Sequence, residues 1–247
     1  LEGFAAHRPG NVRITLIAPQ REQLYSGMVP GFVAGHYTLD KCVIQLDSVI
    51  VRSGAQFVAG SVASIHADAQ TLMLHDGQII AYDFLSLNTG AVMDREKIET
   101  FLPGAHVHAL FVRPIDAFAK LWPQVAAKAL ERPVRLAVIG GGAAGLELAM
   151  AAAHVLSSSK NAPGSRVLLI TGGSIPAQGY PAGVQRRVIR ALERLQITVV
   201  QDTCVGINAG ELILANSDKL ACDLPLLAIG VQAPGWLAGS GLALDAH

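Results

Sequence analysis

Along the chain, short unbroken apolar runs alternate with stretches of helical periodicity and with strings of brief apolar segments broken by turn residues. Residues 134–139 are apolar without alternation, as expected of a strand buried on both faces of a parallel sheet. A glycine turn follows, then an alanine-rich helix over 146–156, a polar loop over 157–164 and a second buried strand over 166–171. That order predicts a βαβ unit. Residues 182–195 predict an amphipathic helix with Arg186, Arg187, Arg190 and Arg194 towards solvent. A strand at 197–200, a meander at 204–207, 211–215 and 219–221, and an apolar strand at 224–229 ending at Gly230 complete this part.

The N-terminal third repeats the same order. Residues 12–18 parallel the strand at 167, Phe57-Val58 parallel Val199-Val200, and 61–67, 72–74 and 79–81 give a second meander. Asp83 leads to Gly90 as Asp223 leads to Gly230, with an offset of 140 residues at both ends. A shared order at a fixed offset predicts duplicated domains. In the second copy a strand and a glycine turn precede the helix, whereas residues 1–7 already read as the late part of such a helix. The first copy is therefore expected to lack its own phosphate-binding loop.

Composition narrows the reading. The 247 residues are 51% hydrophobic and 15% charged, with 19 Lys+Arg against 19 Asp+Glu. The zero balance gives no reason to expect a nucleic-acid partner. Plentiful small residues suit helices packed closely on sheets, and hence an α/β fold. Cys42, Cys204 and Cys222 are widely spaced and odd in number, forming neither a disulfide framework nor a metal pair. A reducing, cytoplasmic setting is the expectation. No apolar run approaches the roughly 18 residues of a membrane span, the start lacks signal-peptide character, and no amphipathic basic helix is read as a membrane-surface anchor.

Gly140, Gly142 and Gly145 fit G-x-G-x-x-G between a buried strand and a helix. In that setting the first glycine permits the turn, the second admits a diphosphate and the third lets helix and strand pack closely. The helix opening at Ala143 and Ala144 would aim free amides at the phosphates. The acidic residue that usually closes the second strand is replaced by Thr171-Gly172-Gly173-Ser174, which leaves NADH and NADPH undistinguished. The first copy shows the same lack at Ala18-Pro19-Gln20. Glu147, read as lying in the first turn of the helix, has two even readings: a carboxylate favoured by the helix dipole, or a polar group at a nicotinamide–flavin contact. Tyr25-Ser26-Gly27-Met28-Val29-Pro30-Gly31 reads as a turn-rich loop, and His36 as a surface or capping histidine. Hydrolase triads, HExxH and metal-ligand spacings are absent from the sequence.

The two-copy plan, the Asn88-Thr89-Gly90 turn, the return segment from Ile229 through Gly230 to Pro234, and Gly145-Leu146-Glu147 resemble the pyridine nucleotide-disulfide oxidoreductase superfamily. The last of these is similar to the type II NADH dehydrogenase-like members. The loop from Tyr25 to Gly31 with Ala34-Gly35-His36-Tyr37 resembles flavoproteins found alone or fused ahead of selenide, water dikinase.

The resemblance implies two Rossmann-like three-layer α/β domains, each with a β-meander, the FAD domain incomplete at both ends. Residues 1–111 and 234–247 would belong to the FAD domain and 112–233 to an inserted NAD(P)H domain. It further implies FAD and NAD(P)H as cofactors, with Gly140, Gly142, Ala143, Ala144, Gly145, Thr171, Gly172 and Gly230 toward NAD(P)H. Pro19, Tyr25, Ser26, Pro30, Thr89 and Gly90 would lie toward FAD, and Glu147 at the ring contact. Hydride would pass from NAD(P)H to the flavin and on to a small-molecule or quinone-like acceptor, without a dithiol relay. A functional link to selenide, water dikinase and a homodimer are further implications. The rival readings are a non-catalytic dinucleotide-binding sensor and an FAD-free fragment of the enzyme.

Overall fold

The computed structural model describes residues 1–7, 10–157 and 164–245, so most of the loop expected over 157–164 lies outside the described residues. Packing divides the chain into two units. One comprises Leu1–Tyr25, Val43–Ala91 and the stretch from Ala233; the other comprises Ser26–Cys42 and Val92–Gln232.

In the first unit, α1 (Glu2–Ala6) packs on α3 (Leu46–Ser53), the intervening α2 (Val29–Val33) belonging to the second unit. β1 (Thr15–Ala18) runs parallel to β4 (Gln56–Ala59), while β2 (Glu22–Leu24) and β3 (Val43–Gln45) pair antiparallel. The meander β5 (Val62–His66), β6 (Thr71–Leu74) and β7 (Ile79–Ala81) follows. Period-two alternation turns Leu72 and Leu74 inward. They form a core with Ile65 that Ile17 of β1 and Val58 of β4 close.

The second unit centres on a five-stranded parallel sheet. Its order is β12 (Thr198–Val200), β11 (Arg166–Ile170), β10 (Arg135–Ile139), β16 (Leu224–Leu227), β9 (Leu110–Phe111). Ala137, Ile139, Ile170 and Leu227 share one core with the meander β13 (Cys204–Asn208), β14 (Glu211–Leu214) and β15 (Lys219–Ala221), and with α4 (Arg95–Phe101) and α5 (Ala105–His108). Leu136 and Val138 alternate to the other face, and α7 (Ala143–Ser157) packs on β10 and β11. Meander, sheet and helix make the three layers expected. α6 (Ile115–Glu131) precedes β10, and the two-residue strands β8 (Val92–Met93) and β17 (Val231–Gln232) pair antiparallel.

The duplication is visible in the hydrogen bonds. Leu74 N donates to Gln78 O and Leu214 N to Asp218 O; Tyr82 N donates to Gln70 O and Cys222 N to Gly210 O. Each pair of bonds keeps the offset of 140. Both meanders also carry a bulge at the same place in their first hairpin, between Val62 and Ser64 and between Cys204 and Gly206. Bulges are specific local devices, so a shared one supports common design.

The copies differ where pairing partners differ. β16 is held between β10 and β9, whereas residues 85–90 form no strand. Among the described residues the first unit has no counterpart of β10, and an apolar stretch without a neighbour gains no ladder hydrogen bonds. β9, placed by sequence in the first domain, is an edge strand of the second sheet, and residues 26–42 pack with the second unit. The amphipathic helix expected over 182–195 is α8 (Ala182–Arg194), which buries only Leu192 and exposes its four arginines.

The base of the second sheet is clamped electrostatically. Asp223 accepts the Arg135 backbone N–H at 2.8 Å and its guanidinium through Nε (2.9 Å) and Nη2 (2.8 Å). Arg135 holds the Asp223 carboxyl down to about 2 from its ordinary 3.8. A depressed carboxyl contributes stability above its unfolded value and loses it as pH falls through the folded value. Asp223→Asn is expected to cost about 1 kcal/mol at neutral pH, discounted for the half-exposed guanidinium. It should also flatten the loss of stability between pH 4 and 2, as read by urea titrations across that range.

Candidate functional site

β10 runs into a turn and then into α7, which places Gly140–Gly145 at a strand-to-helix junction. The three motif glycines meet different surroundings. Gly140 has φ +135° and hydrogen-bonds Ile170 O at 2.9 Å; a Cβ there would lie 2.5 Å from Ala228 O. Gly145 sits where a Cβ would come within 1.9 Å of Gly140 O, so the absent side chain lets α7 settle on the turn. A Cβ on Gly142 would meet nothing within 4 Å. The open space therefore falls at the glycine whose role was to admit a ligand. Leu146 N makes the first helical bond, to Gly142 O at 3.0 Å. The amides of Ala143, Ala144 and Gly145 precede it, at the positive end of the helix dipole. Gly142, Ala143 and Ala144 are exposed.

The neighbouring segments complete the mouth. Ala228 N donates to Ile139 O, and the chain then turns through Gly230 (φ +68°), where Ile98 lies 3.2 Å from a hypothetical Cβ. Gly230 lines a shallow cleft with Asp94, Lys97, Phe101 and Gln232. On the other side Thr171 is buried. Its hydroxyl donates to Ser174 O at 2.5 Å, and its Cβ lies 3.0 Å from where a Cβ on Gly141 would stand. Thr171 thus backs the turn, while Gly172 (φ +68°) is exposed and donates to Asp202 O at 3.0 Å. Asp202 was not singled out in the sequence, because it follows β12 rather than β11. Its carboxylate accepts the Thr203 and Asn216 amides at 2.7 and 3.4 Å.

Glu147 is exposed and is the fifth residue of α7, just past the first turn in which the sequence reading places it. The helix dipole acts within the first turn, so its pull on Glu147 is weaker than that reading assumed. Ser26 opens a single 3₁₀ turn (Ser26–Met28), and Pro30 stands at the start of α2, which packs on α7 through a face that buries Val29, Phe32 and Val33. His36, beyond α2, is exposed, and its Nε2 lies 3.3 Å from Nε2 of His154 on α7. In the first unit Pro19 follows β1, Tyr25 is 53% exposed, and Thr89 and Gly90 (φ +74°) are exposed in the stretch that forms no strand. Arg21 is engaged with Asp47 at 2.5 Å and stacks over Phe57.

The three thiols are buried, at 1%, 7% and 1% exposure for Cys42, Cys204 and Cys222. Burial raises all three, and pushes Cys222 up to about 11. Thiolate, not thiol, is the reactive form. A thiol-specific disulfide reagent at pH 7.5 is expected to titrate no cysteine in the folded chain and three after denaturation.

A sequence model of the pyridine nucleotide-disulphide oxidoreductases matches residues 3–247. The chain belongs to the pyridine nucleotide-disulphide oxidoreductase family. Membership carries FAD and NAD(P)H as cofactors. Curated relatives include the oxidoreductase ptaL of Pestalotiopsis fici, 28% identical over 89% of this chain and 58% of its own length. Another is the ferredoxin–NAD(+) reductase component of the p-cumate 2,3-dioxygenase system of Pseudomonas putida, 29% identical over 54% of this chain and 30% of its own. Solved structures of similar fold include the sulfide:quinone oxidoreductase of Aquifex aeolicus (TM-score 0.79, 17% identity, 97% of this chain and 58% of that one). A NAD-dependent persulfide reductase from A. fulgidus is another (TM-score 0.78, 16% identity, 99% and 46%). The chain thus spans little more than half, or less, of the proteins it matches.

Of the family's two cofactors, the described residues fit one dinucleotide seat. The turn offers exposed residues at Gly142, Ala143 and Ala144 and room at Gly142. The first unit has no strand–glycine turn–helix junction among its described residues, so a second diphosphate seat is not formed by them. Among the described residues no helix is long and apolar enough to cross a membrane.

Proposed function

We propose that this chain supplies the NAD(P)H-binding domain, and part of the FAD-binding domain, of a flavoprotein that oxidises NAD(P)H and passes the electrons to a small-molecule, quinone-like or protein acceptor. The observation that carries the reading is the open space at Gly142, set at the start of α7 between glycines that could not carry a side chain without collision. There the amides of Ala143, Ala144 and Gly145 receive the diphosphate. Gly172 and Gly230 border the two sides, and Thr171 supports the turn from behind. In this reading Tyr25, Ser26, Pro30, Pro19, Thr89 and Gly90 are flavin neighbours, and Glu147 faces the ring contact. FAD, when bound, supplies hydride acceptance and onward electron transfer; the residues described here position the nicotinamide dinucleotide.

Several finer assignments belong to the same reading. With thiols this buried, the chain works without a dithiol relay of its own. The protein is cytoplasmic and forms a homodimer, with a functional link to selenide, water dikinase carried by the loop from Tyr25 to Tyr37. Residues 112–233 are the core of the NAD(P)H domain, with 1–111 and 234–247 contributing to the FAD domain.

The test is a titration of the chain with NADH and NADPH, together with mass spectrometry of any released cofactor and a turnover assay with quinone and ferricyanide acceptors. Saturable nucleotide binding with a yellow protein that bleaches on NAD(P)H addition supports the oxidoreductase. Saturable binding by a colourless protein without turnover favours the sensor, and no nucleotide binding removes both. Glu147→Gln should leave nucleotide affinity within about twofold and slow flavin reduction by about tenfold or more, since only the ring contact is altered.

A further inference from the structure

We propose that His36 and His154 form a binding site for a divalent transition-metal ion, zinc in the first place. The two residues are 118 positions apart and meet because α2 packs on α7. Their Nε2 atoms are 3.3 Å apart, the ring centroids 4.9 Å and the ring planes at 66°. Two imidazoles joined end to end by a straight N–H···N bond would hold their centroids further apart at that nitrogen separation, so at least one ring axis is turned well off the N···N line. That is a poor hydrogen bond, since the donor prefers the direction of the lone pair. The separation does suit an ion held beside the line. Two nitrogens about 2.0–2.1 Å from a tetrahedral zinc stand about 3.3 Å apart. Both rings are exposed, which leaves the remaining coordination positions to water or to a ligand atom. Neutral imidazole suits zinc, copper and nickel, while calcium and magnesium prefer oxygen.

Such an ion has a mechanical consequence. His36 lies in the segment Ser26–Cys42 that also carries Pro30, and Glu147 lies seven residues before His154, on the same face of α7. A metal bridge would pin that segment to the helix that opens with the glycine turn, about 10 Å along the axis from Glu147. The site itself stands apart from the nucleotide reading and is tested apart from it.

The experiment is zinc chloride titration of the untagged full chain by calorimetry and by competition with a chromogenic chelator. The comparison proteins are His36→Gln, His154→Gln and the double variant; both positions are exposed, so the folds should be unaffected. One zinc per chain at micromolar affinity is expected, weakened about tenfold or more in each single variant. Zinc at about 100 times its dissociation constant should raise the thermal midpoint of the wild type by about 5 °C, and not that of the double variant. The other six histidines, at positions 7, 66, 75, 106, 108 and 247, contribute equally to all four proteins. Equal zinc affinity in wild type and double variant, or no binding tighter than that of the double variant, overturns the site and leaves the pair as an imidazole hydrogen bond.

Discussion

Gly145→Ala yields little or no soluble, folded protein. The added methyl would lie 1.9 Å from the carbonyl oxygen of Gly140 and 2.9 Å from its carbon. Those atoms are backbone, held by the bond from Gly140 N to Ile170 O, so no side-chain rotation relieves the overlap. Relief requires α7 to lift from β10, which would strip cover from Leu146, Leu148 and Ala149, all at most 4% exposed. The expected loss exceeds about 3 kcal/mol, the range of large core disruptions. Urea titration of whatever material is recovered measures it. Gly183→Ala is the control, in a helix where the new methyl meets nothing within 4 Å. It should be neutral to stabilising by about 0.5–1 kcal/mol. A Gly145→Ala protein as stable as wild type would show that the helix does not need this close approach.

Gly142→Ala should have the opposite profile: a sound fold and a damaged nucleotide site. Nothing lies within 4 Å of the new methyl, and the backbone there is not left-handed. Stability is expected to fall by less than about 1 kcal/mol, the scale of a change at a helix N-cap. Affinity for NADH and NADPH should drop about tenfold or more, equivalent to about 1.4 kcal/mol, because the methyl occupies the space proposed for the diphosphate. Fluorescence titration of both proteins decides it. An unchanged dissociation constant would move the nucleotide away from this turn, whatever the fold does.

The βαβ unit, both meanders and the glycine junction were legible because their signals are local. An unbroken apolar strand, a glycine spacing and a period-two alternation each sit within about twenty residues. The stretch before Gly90 was less so. Its composition parallels that before Gly230, yet residues 224–227 form a strand and 85–90 do not, because strand formation depends on a neighbour that pattern cannot supply. α6 escaped the sequence reading although Phe118, Ala119, Trp122 and Ala129 repeat at helical spacing; Pro123 in the middle obscured it. Thr171 stands at the position where a ribose ligand was sought, but its hydroxyl points back at Ser174 O, a direction fixed only by the following left-handed glycines. The contact of His36 with His154 has no local signal at all.

The strand order of the second sheet bears on how a growing chain can assemble. β10, β11 and β12 are neighbours in space and come in sequence order, so their ladder can zip once residue 200 is available. β9 (Leu110–Phe111), made well before β12 (Thr198–Val200), has no seat in that ladder. Among the described residues its strand partner is β16, through Leu226 beside Leu110 and Leu227 beside Phe111. During synthesis Arg95 and His106 can already pack on the Phe111 ring, but the backbone edge of β9 stays unpaired until residue 227 leaves the ribosome; a stall with residue 200 outside and residue 224 still inside should leave that early strand protease-sensitive while the glycine turn is already protected.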